Sequence, residues 1–179
     1  MNKSLIKVLG HTIVPAFVLV VSKLIGVIFS AEVLSSNIKF KDISDSILKS
    51  GTFVNGSDLL EINSYSDLIM YVAIASYFSL ILIRSVYLHN THVNPIHVRR
   101  LHKLNLTALI KDTYDIYHEA TVGMFFLWIT NTIILINTFL ERTYLWVSIL
   151  TLLSSLLLSI ILIHDVNREI KEFNTKRVI

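Results

Sequence analysis

The chain has 179 residues, of which 53% are hydrophobic and 16% charged, and its mean hydropathy is +0.63. Soluble domains carry about 25% charged residues, so this composition excludes an ordinary water-soluble globule. The formal net charge is +3 and the pI is near 9.1, and the absence of cysteine excludes disulfides, thiolate metal sites and a cysteine nucleophile.

Four apolar runs succeed one another, at 12–34, 67–88, 121–140 and 145–163. A helix needs about 20 apolar residues to cross the hydrocarbon core of a bilayer. Lipid offers the backbone no hydrogen-bond partner, so a spanning run is a helix or a barrel strand. Barrel strands alternate apolar and polar residues, whereas LWVSILTLLSSLLLSIILI at 145–163 is apolar on all sides. The predicted fold class is all-α. The chain reads as a polytopic integral membrane protein, a single four-transmembrane-helix bundle over 1–179, with a cytoplasmic amphipathic segment between helices 2 and 3.

The first run opens after MNKSLIK. A cleaved signal peptide needs small residues at its cleavage site. Ile28 and Phe29 occupy the positions that should be small, so the run reads as a retained signal anchor. Pro15 sits near its start, where lipid-embedded helices tolerate a kink if neighbours satisfy the freed carbonyl. Ser22, Gly26 and Ser30 stand four apart and form a small-residue ridge for close helix approach. Lys23 is the one charge deep inside a run. Such a charge is costly and marks a functional candidate by default, with snorkelling to the interface as the plainer reading. By depth, its expected partners are Asn131, Asn137, Ser76 and Ser79, with Asp67 nearer the outer edge.

The segment 35–66 carries turn signals at Lys49-Ser50-Gly51 and at Asn55-Gly56-Ser57-Asp58. Ile43 and Ile47 share a helical face, so short helices lying on the outer leaflet are expected, in a loop too small to bury its own core. Asn55-Gly56-Ser57 matches a glycosylation sequon, which in a bacterial chain is simply a turn. The second run is lightened by Ala73, Ala75 and Ser76.

The segment 89–120 holds five of the seven histidines: His89, His92, His97, His102 and His118. Asn94-Pro95 breaks the helix leaving the membrane. From Ile96 to Glu119, Leu106, Leu109, Ile110, Ile116 and Tyr117 recur at helical spacings. Arg99, Arg100 and Lys103 crowd the first half, which predicts an interfacial helix with its basic face on lipid headgroups. The second reading is metal binding. His89 and His92 share a helix face, and Asp115, His118 and Glu119 place carboxylate and imidazole one turn apart. Those are ligands for iron or zinc, and carboxylate-x-x-His pairs mark di-iron bundles. The segment is similar to His-box membrane desaturases in ligand type alone, without their double-histidine box.

The third run carries Asn131 and Asn137, which can hydrogen-bond between helices for about 1 kcal/mol or less each. Glu141–Tyr144 is a tight connection, so runs three and four form an antiparallel hairpin, with Tyr144 and Trp146 at the outer interface. Ser154, Ser155 and Ser159 make a weaker small-residue ridge. The tail from His164 reads as a charged helical extension, with His164 and Asp165 placed to meet Arg84 or His118.

Lys and Arg concentrate on the cytoplasmic side. Eleven lie in the N-terminal tail, the segment 84–119 and the C-terminal tail, against four in the other two loops. Both termini are therefore expected in the cytoplasm, in a cell (inner) membrane. No P-loop, G-x-G-x-x-G, G-x-S-x-G or H-E-x-x-H motif occurs, which predicts no nucleotide chemistry and no catalytic or cofactor-binding residue outside the metal reading. Basic residues beside the runs point to anionic lipid and not to nucleic acid. Expected partners are membrane lipids, with further copies of the chain or other membrane subunits. The leading functional expectation is a subunit, scaffold or accessory factor of a membrane assembly. One alternative is a metal-dependent membrane enzyme using the cytoplasmic His/Asp/Glu cluster. The other is a homo-oligomeric pore or small transporter lined by Lys23, Asn131 and Asn137.

Overall fold

A computed structural model describes residues 3–33, 56–87, 103 and 113–177. They form four long helices in chain order: α1 Lys3–Val33, α2 Gly56–Tyr87, α3 Thr113–Phe139 and α4 Leu145–Arg177. By length and composition all four can cross a membrane, over Thr12–Val33, Leu59–Val86, Asp115–Phe139 and Leu145–Lys171. The all-helical class and the four spanning-length helices expected from the apolar runs are present.

Successive helices run antiparallel. Lys23 and Ala31 of α1 meet Asp67 and Ile62 of α2, in that order. Asn131 and Tyr117 of α3 meet Ser155 and Asp165 of α4. Helices α2 and α4 run parallel, since Tyr71 meets Ser155 and Ser85 meets Asp165. Helices α2 and α3 each pack against all three others, and α1 and α4 flank them. One end of the bundle therefore holds the α3–α4 hairpin, and the other holds both chain tails.

The core is built from positions recurring every three to four residues. Met70, Ile74 and Phe78 of α2 are fully buried against Leu127 and Ile134 of α3 and Val147 of α4. Polar side chains share this core, and many apolar ones stand outside it. Ser64, Asp67, Ser85, Asn131, Thr151 and Ser155 are buried, while Phe17, Leu80, Phe125, Leu153 and Ile160 are exposed. That is the arrangement a bilayer would favour, because lipid is as apolar as leucine and helices within it gain by pairing polar and small groups inward.

Three local features set where the polar groups of the bundle meet. Helix α1 runs unbroken through Pro15. Helix α2 starts at Gly56 and so takes in residues 56–66, which hydropathy alone assigns to the connecting loop. Packing explains the extension: Ile62 buries against Ala31 and Val27, and Ser66 buries against Gly26. The α3–α4 connection closes with a helix-terminating pair of bonds, Arg142 N–H to Asn137 O at 2.8 Å and Glu141 N–H to Thr138 O at 3.0 Å. Glu141 adopts φ 56°, the left-handed conformation this cap requires. The rest of the predicted connecting segments, 34–55 and most of 88–112, lies outside the described residues.

Candidate functional site: buried polar cross-ties

The small-residue ridge of α1 faces α2. Ser22, Gly26 and Ser30 are all buried. A Cβ built on Gly26 would stand 2.9 Å from Ser66 Cα and 3.0 Å from Ser66 O, so the two backbones nearly touch. That approach carries Lys23 to Asp67, the residue after Ser66. Lys23 Nζ lies 2.5 Å from Asp67 Oδ1. Asn137 Nδ2 donates to Asp67 Oδ2 at 3.0 Å, and Thr143 Oγ1 donates to the same oxygen at 2.5 Å. Asp67 is wholly buried, and the Lys23 side chain is 28% exposed. One carboxylate thus binds α1, α3 and the hairpin connection to α2. Nearby, Tyr144 N–H donates to Ser64 Oγ at 2.9 Å and fastens the start of α4 to α2.

A second tie crosses the middle of the bundle. Ser154 Oγ donates to the backbone carbonyls of Leu150 at 2.8 Å and Thr151 at 3.1 Å. Its proton is thereby committed, so Tyr71 OH donates to Ser154 Oγ at 2.7 Å. Ser155 Oγ then donates to Tyr71 OH at 2.9 Å, and Asn131 Nδ2 donates to Ser155 Oγ. The donor order fixes which way the Asn131 amide points, an assignment that rests on the network and not on visible hydrogens. Trp128 Nε1 adds a bond to Ser159 Oγ at 3.2 Å.

A third tie closes the tail end. Ser85 Oγ and Tyr117 OH both donate to Asp165 Oδ2, the latter at 3.2 Å. Between this tie and the middle one lie the buried side chains of Ile74, Phe78, Leu127 and Leu162.

Of the residues singled out in the sequence, Lys23 and Asn137 meet at Asp67, while Asn131 joins the middle tie. Ser76 and Ser79 lie more than two turns further along α2 than Asp67. Asp115, His118 and Glu119 sit in the first turns of α3, and none of them is without an interaction partner. Among the described residues, no group of three or more His, Asp or Glu side chains is placed to hold a metal ion. His89 and His92 lie outside the described residues, as do Arg99 and Arg100, whereas Lys103 is exposed. Sequence reasoning missed Tyr71, Thr143 and the Ser85–Tyr117–Asp165 group. The available signal was an acid at the head of an apolar run opposite a run containing a lysine. Chemically, the ties compensate polar groups within the bundle. Comparison with protein-family models, curated proteins and solved structures finds no match to this chain.

Proposed function

We propose that this chain is a small multi-pass integral membrane protein of a cell (inner) membrane, with both termini cytoplasmic. It works as a subunit, scaffold or accessory factor of a membrane assembly. Its partners are membrane lipids and further copies of itself or other membrane subunits. The observation that supports this most is the mutual engagement of the polar groups inside the helices. Lys23, Asn137 and Thr143 converge on Asp67, and Asn131, Ser155, Tyr71 and Ser154 form one directed chain. A bundle that uses such groups to fix its own shape offers a defined surface to neighbours. The basic residues Arg99, Arg100 and Lys103 suit the headgroup contact expected beside such a bundle.

Native mass spectrometry of the protein, extracted from its own host in mild detergent, tests this reading. A discrete heteromeric mass, or a defined homo-oligomer free of metal, is the expected result. A solitary single-copy mass removes the assembly role. A mass carrying stoichiometric metal that is lost in His89→Ala moves the assignment to the enzyme alternative.

A further inference from the structure

The outward face of α4 changes character at its tail end. Leu153, Leu157 and Ile160 are exposed along one line of the helix. At 3.6 residues per turn, His164, Arg168 and Lys171 continue the same line. All three are exposed. Two acids of this stretch, Asp165 and Glu169, turn the other way. Asp165 is half-buried and receives Ser85 and Tyr117 from α2 and α3, and Glu169 is half-buried beside it on α4. His164, Arg168 and Lys171 therefore face outward, while Asp165 and Glu169 face the bundle.

Depth gives the sorting its meaning. Tyr144 and Trp146, both partly exposed, mark one boundary as interfacial aromatics do. His164 lies nineteen residues beyond Leu145, about 28 Å at 1.5 Å per residue, which matches a hydrocarbon core of about 30 Å. Arg168 and Lys171 lie about 6 and 10 Å further on, where the headgroups begin. The apolar line thus ends where acyl chains end, and the basic line starts where phosphates start.

We propose that His164, Arg168 and Lys171 form a binding site for the headgroup of an anionic phospholipid, whose acyl chains lie along Leu153, Leu157 and Ile160. Arginine matches phosphate geometry with a planar fork, and lysine supplies a point charge on a long flexible stem. Asp165 and Glu169 are turned inward, away from that line. The proposal rests on the reading of α4 as a membrane span and is independent of any role in an assembly.

The test is lipid binding by the full-length protein in nanodiscs, with phosphatidylglycerol titrated into phosphatidylcholine and bound lipid counted by native mass spectrometry. The wild type is expected to retain phosphatidylglycerol preferentially, and added salt is expected to weaken the preference. Arg168→Gln with Lys171→Gln is expected to weaken it about 25-fold, near fivefold per base. Arg168→Lys with Lys171→Arg is expected to keep most of it. These residues are exposed, so circular dichroism should show the helix content unchanged. Equal retention of both lipids by the wild type overturns the proposal. So does a neutralised variant that keeps the preference, or a charge-conserving variant that loses it. Inorganic phosphate binding equally well in lipid-free micelles overturns the lipid source in favour of a soluble anion. Failure of the protein to enter nanodiscs at all overturns the membrane reading beneath it, an outcome visible before any lipid is counted.

Discussion

Asp67 carries a carboxylate into the bundle and receives Lys23, Asn137 and Thr143 there. Removing one partner of a buried ion pair leaves a charge with no compensation and costs about 3–5 kcal/mol, whereas replacing both with apolar groups is often nearly neutral. Lys23 keeps some exposure, so the lower end of that range applies. Lys23→Met and Asp67→Leu are each expected to cost about 3 kcal/mol. The double variant still leaves Asn137 and Thr143 without their acceptor, so it is not neutral, but it should cost less than the sum by about 3 kcal/mol, the upper end of coupling between contacting residues. Denaturation in detergent across the four proteins measures this, and strictly additive losses would sink the pairing. A smaller effect of opposite sign belongs to Glu141. Its left-handed φ of 56° is strained for any residue with a Cβ and suits glycine. Its side chain is exposed, so little contact is lost on truncation. Glu141→Gly relieves about 1–2 kcal/mol of left-handed strain against about 0.5–1 kcal/mol for glycine's greater unfolded-state entropy, so stability is expected to rise by about 0.5–1 kcal/mol net, read as a higher unfolding midpoint in the same assay.

Where helices cross, two glycines set the distance, and the neighbours they meet predict different outcomes. A Cβ at Gly26 meets backbone atoms of Ser66, which yield only if α1 and α2 separate. A Cβ at Gly123 would stand 2.9 Å from Phe78 Cδ2 and 3.3 Å from Ile81 Cδ1, side-chain atoms that can tilt, although Phe78 is fully buried. Overpacking costs about 1–3 kcal/mol, and Gly26→Ala belongs at the upper end and Gly123→Ala at the lower. Because the Gly26 crossing carries Lys23 to Asp67, Gly26→Ala should also shrink the coupling between that pair. An unchanged Lys23–Asp67 coupling in the Gly26→Ala background would separate the two features. The same crossing explains what the sequence reveals and what it hides. The four helices, the hairpin and the ridge at Ser22, Gly26 and Ser30 are legible from runs and spacings along one chain. The lysine's partner is not, because hydropathy starts the second run at Asp67 and so places that acid at an edge. Helix α2 starts about three turns earlier, since Ile62 and Ser66 gain packing that only the assembled bundle supplies. The middle tie is hidden for another reason. A serine or asparagine in a helix can bond its own backbone, so spacing alone does not select Tyr71, Ser155 and Asn131 as a set.

For the whole molecule, the remaining question is which end of the bundle faces which compartment. The hairpin connection and the α4 tail lie at opposite ends, so two labels decide it. The chain contains no cysteine, and a single introduced thiol therefore reports one position without background. Arg142 is exposed in the connection and Lys171 is exposed near the tail end of α4. Lys171 lies 26 residues beyond Leu145, about 39 Å along the helix, which exceeds a hydrocarbon core of about 30 Å. Neither change reverses the basic bias that is expected to orient the chain. Arg142→Cys removes a base from the side expected to lie outside, and Lys171→Cys leaves ten on the side expected to be cytoplasmic against four. A membrane-impermeant maleimide applied to intact cells is expected to label Arg142→Cys at once and Lys171→Cys only after permeabilisation. The reverse order would show the bundle inserted the other way up, with the Asp67 hub near the cytoplasm and the Asp165 group outside. Labelling of both from one side would mean that α4 does not cross. The depth argument for His164, Arg168 and Lys171 would then fall with it, while the Lys23–Asp67 coupling, a property of α1 against α2, would stand.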